Sequence, residues 1–220
     1  MKREIKMTAD GSQTLYVPEI DEHYHSVHGA VQESDHVFID KGIDALFLKE
    51  VKVLEVGFGT GLNCLLTALW SDKHQLKVHY TGIDPFPVSE ELNKSLNYPS
   101  QIKSNKAQEY FDKIVESLWE DPITVHDQFV LTKKEQRIED FESDKLYDII
   151  YFDAFGPNSQ NELWEYHILE KVYRLMSKKG IFVTYCAKGQ LKRDLNAIGF
   201  TVETLKGPPG KREMTRARKN

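Results

Sequence analysis

Residues 51–63 read VKVLEVGFGTGLN, a β-branched apolar run that meets a glycine and passes through two more into the apolar stretch LNCLLTALW (62–70). With no polar alternation, the run predicts a strand buried on both faces, as parallel strands are. A glycine turn from such a strand into a helix confines the chain to an alternating α/β architecture, and Thr60 is placed to cap the helix. The same grammar continues downstream. LKVHYTGID (76–84) predicts a strand ending in an acid before Pro85. NKAQEYFDKIVESLW (105–119) predicts an amphipathic helix with Tyr110, Ile114, Val115 and Leu118 on one face. ITVHDQFVL (123–131) and YDIIYFD (147–153) each predict one strand. NELWEYHILEKVYRLM (161–176) predicts one long helix stopped by the Lys178-Lys179-Gly180 cluster, whose cations suit a helix C-terminus. A strand (180–187), a helix (190–199) and two strands (200–205 and 211–218) complete the pattern. The expected fold is a doubly wound, mostly parallel, seven-stranded α/β sheet over residues 46–220. Residues 1–45, weakly periodic and rich in turn signals, form an N-terminal extension packed on that core, with Val37, Phe38 and Ile39 opening a buried segment.

In such sheets ligands bind beyond the carboxyl ends of the strands, where strand order reverses. That rule puts Gly57, Asp84 and Asp153 on one rim. The loop EVGFGTGLN spaces its glycines G-x-G-x-G, unlike the G-x-G-x-x-G of dinucleotide folds, and Glu55 precedes them by two residues. A carboxylate there repels phosphate and suits a cationic, phosphate-free nucleoside ligand, which describes S-adenosylmethionine; the other reading is a tight turn with no ligand. Asp84 is placed for ribose hydroxyls and Phe86 for an adenine face, although Asp84 also reads as a solvent-exposed turn acid.

YFDAFGPNSQNELW (151–164) ends a buried strand on a carboxylate and an aromatic ring. Asp153 is placed to orient an amine and take its proton, and Phe155 to stack on a flat base. The alternative makes Asp153 a cap for the following helix and Phe155 a core residue.

Bulk properties narrow the class. No stretch approaches the length of a membrane-spanning helix, and MKREIKMTADGSQT lacks the apolar segment of a secretory signal. Cys64 and Cys186 both lie in apolar runs, which fits free thiols in a reducing cytoplasm. Formal net charge is −5, yet from Ala187 onward nine Lys/Arg face three acids, a local +6, which offers one attractive face to an anionic partner or is simply a solvated tail. His23, His25 and His28 lack a completing ligand set, so no metal is expected. Trp70, Trp119 and Trp164 read as packing anchors.

DIIYFDAFGPNSQNELW, and GIFVTYCAKGQLKRDLNAIGFTVETLKGPPGKREM after it, resemble the methyltransferase domain of the bacterial tRNA 5-methylaminomethyl-2-thiouridine biosynthesis protein family. EVGFGTGLN resembles that family's cofactor loop, and YHSVHGAVQESDHVFI its N-terminal segment, so the likeness runs over nearly the whole chain from about Ser12. It implies a class I, Rossmann-like methyltransferase fold using S-adenosylmethionine. It implies methylation of the 5-aminomethyl group on a tRNA wobble uridine, with Asp153 facing the methyl acceptor. By the same resemblance Glu33, Glu55, Gly57, Phe58, Gly59, Gly61, Asn63, Asp84 and Phe86 are cofactor residues. Phe155, Gly156, Pro157, Lys211, Arg212, Glu213 and Met214 are acceptor residues, the last four close to RNA phosphate. Two departures stand out. The chain ends at Asn220 without the flavin-dependent oxidase domain of bifunctional members, so a separate enzyme is expected to make the aminomethyl group. Where many members carry an adenine-contacting acid, FVLTKKEQ offers Leu131, Thr132 and Lys133. Methylation of another RNA site or a small amine, or binding without catalysis, are the competing readings.

Overall fold

The computed structural model describes residues 1–220. Strand β1 (Glu4–Met7), β2 (Gln13–Val17) and β3 (Glu22–His23) form a small antiparallel sheet. Helix α1 (Ala30–Ser34) runs directly into a π-helical stretch, Asp35–Asp40, which buries Val37, Phe38 and Ile39. The main sheet then begins with β4 (Glu50–Val56), followed by α2 (Leu62–His74) and β5 (Lys77–Ile83). Next come α3 (Glu90–Lys94), α4 (Tyr98–Gln101), α5 (Ala107–Glu116), β6 (Pro122–His126) and β7 (Phe129–Lys134). The chain finishes with β8 (Tyr147–Phe152), α6 (Tyr166–Arg174), β9 (Met176–Thr184), α7 (Gly189–Ile198), β10 (Phe200–Lys206) and β11 (Glu213–Lys219).

Eight strands line up in the order β10-β11-β9-β8-β4-β5-β7-β6. The five from β9 to β7 are parallel; β11 and β6 run against them at either side, and β10, antiparallel to β11, returns to the direction of the five. The expected seven strands become eight because ITVHDQFVL turns back on itself at Asp127-Gln128, giving β6 and β7 as an antiparallel pair at the sheet edge. The apolar runs bury both faces as anticipated. Val51, Val53, Ile149 and Tyr151 face a core with α2, α5 and the π-helical stretch, while Leu54, Val56, Ile150 and Phe152 face a second core with α6 and α7. Leu15 and Ala30 share the first of these cores, which anchors residues 1–45 on the sheet.

Four local expectations need correction. Helix α5 stops at Glu116, so Leu118 leaves the apolar face and is 70% exposed. The long helix breaks at Glu165 into a 3-10 turn, Asn161–Trp164, and α6. Lys178, Lys179 and Gly180 lie inside β9, where Lys179 takes a positive φ of 64°. Thr60 caps nothing; its hydroxyl pairs with the Tyr98 hydroxyl at 3.2 Å, and Gly61 stands at the N-terminus of α2 in a left-handed conformation. No helix is long and apolar enough to cross a membrane.

Candidate active site

Strand order reverses between β4 and β8. Register sets Val56 opposite both Ile83 and Phe152, so the next residues, Gly57, Asp84 and Asp153, emerge side by side. Backbone bonds tie these ends together: Asp153 N–H donates to the Val56 carbonyl at 2.9 Å, and Gly57 N–H to the Ile83 carbonyl at 3.0 Å. Gly57 has φ +89°, and a Cβ on it would lie 2.6 Å from the Asp153 carbonyl oxygen, so only glycine lets the β4 and β8 ends approach.

A cavity of about 320 Å³ opens above this rim. From the sheet ends it is lined by Gly57, Gly59, Asp84, Phe86, Asp153, Ala154 and Phe155, and from the N-terminal segment by Glu22, Tyr24, His25 and Glu33. Gln136, Arg137, Ile138 and Glu139 close one side, and Tyr185 and Lys211 the other.

At the nucleoside end, the buried Asp84 carboxylate accepts the Gly59 N–H at 2.9 Å and the Phe86 N–H at 2.8 Å. Burial raises its pKa against those two bonds. Phe86 is half exposed, with the Arg137 guanidinium 5.6 Å from its ring centre. Leu131 and Lys133 are buried away from the cavity, and Lys133 turns inward to donate to the Ile114 carbonyl at 2.9 Å. An acid from later in the chain, Glu139, lines the cavity, and its Oε2 is buried with no hydrogen-bond partner. An unpaired buried carboxylate oxygen is costly without a donor, and the amino group of a bound adenine is such a donor. With the glycine cradle and Asp84, these residues fit S-adenosylmethionine.

Glu55, Phe58, Gly61 and Asn63 do not line the cavity. Glu55 is fully buried beneath the loop, accepting from Asn63 Nδ2 at 2.8 Å and the Tyr80 hydroxyl at 2.7 Å, and burial pushes its pKa well up. The expectation that its charge faces a cationic ligand is thereby corrected, because its partners lie in the core. Phe58 fills the space over Gly82, where a Cβ would lie 2.1 Å away. Asn63 supports from below: its Nδ2 also donates to Asp153 Oδ2 at 2.8 Å, fixing that carboxylate.

Toward the aromatic turn, burial first and the neighbouring Glu33 charge second push the Asp153 pKa up to about 7, against the Asn63 bond and the Lys211 charge. Its carboxylate pairs with Asn63, and Gln160 and Glu165 stand at the starts of the helical segments that follow, so Asp153 caps no helix. The turn behind it is pinned by Trp164, whose indole N–H donates to the Phe155 carbonyl at 2.8 Å. Phe155 packs edge-on against Tyr24 with ring centres 5.2 Å apart. Gly156 sits in ordinary contact range of the Tyr185 hydroxyl, 3.7 Å from where its Cβ would be. Glu33, expected on the cofactor, binds Lys211 instead: its Oε1 accepts Lys211 Nζ at 2.5 Å and its Oε2 the Ser26 N–H at 2.7 Å. Pro157, Arg212 and Glu213 flank a shallow depression beside Tyr185 and Lys211, with Glu213 paired to Lys192 at 2.9 Å. Met214 is fully buried in β11 among core residues, so the acceptor role expected for it is corrected; the strand alternation turns it inward.

His25 is buried, and desolvation lowers its pKa to about 4, so it is neutral in the cavity wall. His23 stacks on Tyr16, His28 packs over Gly210, and no three His, Cys, Asp or Glu side chains converge as a metal-binding set. Sequence reasoning missed Tyr24, Tyr185, Glu139 and Arg137; each lies in a connecting segment whose approach to the rim is tertiary.

Comparison with known proteins agrees with this geometry. The chain is 31% identical over 224 residues to the tRNA 5-methylaminomethyl-2-thiouridine biosynthesis bifunctional protein of Leptospira interrogans, covering 94% of this chain and 34% of that protein. It is 27% identical to the Pseudoalteromonas atlantica protein of the same name, covering 96% and 32%. The chain thus spans about a third of the length of the curated relatives it matches. The crystal structure of MNMC2 from Aquifex aeolicus superposes with a TM-score of 0.79 at 26% identity, covering 98% of this chain and 69% of that one. DesVI of Streptomyces venezuelae, at 10% identity and a TM-score of 0.52, shares the fold alone. The model of a family described as S-adenosyl-L-methionine-dependent methyltransferase matches residues 105–220, more than half of the chain. The mostly parallel eight-stranded sheet, the glycine cradle at its switch point and these matches together place the chain in that S-adenosyl-L-methionine-dependent methyltransferase family.

Proposed function

We propose that this methyltransferase acts on the 5-aminomethyl group of a tRNA wobble uridine, giving the 5-methylaminomethyl form. The carrying observation is Asp153, a largely desolvated carboxylate held by Asn63 between the cofactor cradle and the aromatic turn, with its pKa near neutrality. A primary alkylamine is protonated at neutral pH and cannot attack a methyl group until it loses a proton. A carboxylate of ordinary acidity is a weak base for that task, and one near 7 is matched to it. The names of the relatives supply the acceptor class.

When bound, S-adenosylmethionine supplies an electrophilic methyl group whose leaving sulfur departs as a neutral thioether. Gly57, Gly59, Asp84 and Phe86 would hold its nucleoside, with Glu139 in the same cavity wall. Asn63 and Glu55 act beneath the loop, Phe58 and Gly61 shaping it. Asp153 Oδ2 is held by Asn63, which leaves Oδ1 to accept one proton from the acceptor ammonium. Loss of that proton would expose the nitrogen lone pair as the methyl acceptor, and the methylated product would be a secondary ammonium. Phe155 stacks on the base, and Gly156 and Pro157 wall the pocket. Arg212, with Lys188, meets phosphate at the mouth. The substrate must carry a primary amine already, so an amine-forming reaction on the uridine precedes this one.

Purified chain incubated with S-adenosylmethionine and tRNA bearing 5-aminomethyluridine should yield 5-methylaminomethyluridine by nucleoside mass spectrometry. Methylation of that tRNA at another position, or none, would overturn the assignment.

A further inference from the structure

Lys211 stands on the wall between the cavity and the shallow depression outside it, lining both. Its backbone is fixed: its N–H donates to the Pro208 carbonyl at 2.9 Å, and its own carbonyl lies 2.5 Å from where a Cβ on Gly207 would be. The side chain is less constrained and about a third exposed, at 32%. It reaches inward to put its ammonium 3.8 Å from the centre of the Tyr185 ring and 2.5 Å from Glu33 Oε1.

Both walls of this cage are held from behind. Glu33 is buried, and the Ser26 N–H fixes its other oxygen at 2.7 Å. The Tyr185 hydroxyl donates to the Ala154 carbonyl at 2.8 Å, one residue from Asp153. A carboxylate facing an aromatic face is a receptor for an organic ammonium, and it stays assembled whether or not a lysine supplies the cation. The acceptor amine, before it gives up its proton, is the same chemical group as the lysine head.

We propose that the Glu33–Tyr185 cage is the binding subsite for the acceptor's protonated primary amine, and that Lys211 is an internal stand-in which the acceptor displaces. The proposal rests on the amine-acceptor reading above and adds a selection device to it. A neutral hydroxymethyl or unsubstituted base offers no charge to replace that of Lys211 and would leave the buried Glu33 carboxylate unpaired, so it does not enter the cage with or without the lysine. A protonated amine makes an even exchange, arrives beside Asp153, and frees Lys211 to turn outward toward Lys188, Arg212 and the anionic partner they would meet. Apparent affinity for the amine is reduced by the fraction of molecules in which the lysine occupies the cage.

The test uses the full chain saturated with S-adenosylhomocysteine, titrated calorimetrically with 5-aminomethyluridine, 5-hydroxymethyluridine and ethylammonium. Lys211→Met should tighten binding of the two amines by roughly tenfold and leave the hydroxymethyl probe unchanged. Glu33→Gln should weaken the amines to the level of the hydroxymethyl probe, and Tyr185→Leu should weaken them severalfold while Tyr185→Phe does not. Weaker amine binding in Lys211→Met would overturn the proposal, because the lysine would then belong to the binding set. Equal tightening of charged and neutral probes would also overturn it, as simple steric relief. If ethylammonium follows the expected order while 5-aminomethyluridine does not bind, the cage stands and the uridine assignment falls. If wild-type protein methylates aminomethyl tRNA but Lys211→Met leaves amine affinity unchanged, the cage falls and the assignment stands. Should Glu33→Gln unfold, the Lys211→Met comparison decides alone.

Discussion

Asp153 shows how much a single side chain depends on what surrounds it. Its position at the end of a buried strand is legible in YFDAFG, but its chemistry comes from burial, from Glu33 and from the Asn63 amide below. The folded pKa, about 7 against an ordinary 3.8, makes two measurable quantities depend on pH with a definite sign. Because the folded value is raised, the protonated form is favoured in the native state. Its stabilising contribution is complete below about pH 4 and is lost as pH rises through about 7. Asp153→Asn, which cannot ionise, should gain melting temperature relative to wild type as pH goes from 4 to 7 in the free protein. In the proposed reaction the ionised form is the base, so kcat/KM should rise through about 7 in wild type. The Asn variant should lack that limb and lose roughly a hundredfold in rate with little change in cofactor affinity. A variant that keeps the limb would assign the titration to another group.

Among elements, the N-terminal sheet changes most between expectation and structure. Residues 1–45 carry little periodicity, yet they supply one wall of the cavity. Arg3 clasps that sheet to the cofactor side: its guanidinium donates to the Tyr24 hydroxyl at 2.8 Å, the Pro87 carbonyl at 3.2 Å and the Phe86 carbonyl at 2.5 Å. On the acceptor side the Ser159 hydroxyl donates to Glu22 at 2.5 Å, and Tyr24 meets Phe155. The sheet therefore spans both halves of the site. Arg3→Ala should raise KM for S-adenosylmethionine roughly three- to tenfold, keep kcat within about twofold, and cost about 1–2 kcal/mol of stability. Steady-state kinetics with a parallel thermal melt would check this, and an unchanged KM would show that the clasp does not serve the cofactor. The hairpin at β6 and β7 carries a related lesson. Asp127-Gln128 is a weak turn signal inside an apolar run, and the reversal is stabilised by pairing with β7 that local sequence does not display.

For the whole molecule, charge had to be redistributed before it could be interpreted. Of the nine Lys/Arg in the last 34 residues, five are held by carboxylates or backbone carbonyls of the protein itself. Lys192 pairs with Glu213, Arg216 and Arg218 with Glu203, and Lys211 with Glu33. Lys219 donates to the Tyr173 and Met176 carbonyls near the end of α6. Arg212 makes no ion pair and is exposed, and Lys188 holds only the Asn158 amide oxygen at 2.6 Å. Both border the depression next to the acceptor pocket. Binding to tRNA should weaken steeply with salt, and Arg212→Ala should reduce the log–log slope by roughly one. Filter binding over a salt series would measure it, and an unaltered slope would place the phosphate contacts elsewhere.

Sequence by itself determined the alternation of buried strands and helices, and with it the rim carrying Gly57, Asp84 and Asp153. Those features follow from local periodicity and from the rule that parallel strands end on one edge. It also offered Asp153 as the candidate acceptor-side acid, with a helix cap as the alternative. Tertiary structure decided which carboxylates line the cavity and which are buried beneath it. Glu55 sits two residues before the glycines yet faces the core, while Glu139, in the loop after β7, is among the residues lining the cavity. It also decided that Glu33 faces Lys211 across 178 positions of sequence. Ionisation and ligand preference depend on desolvation and neighbouring charge, and both are set by which distant segments pack together.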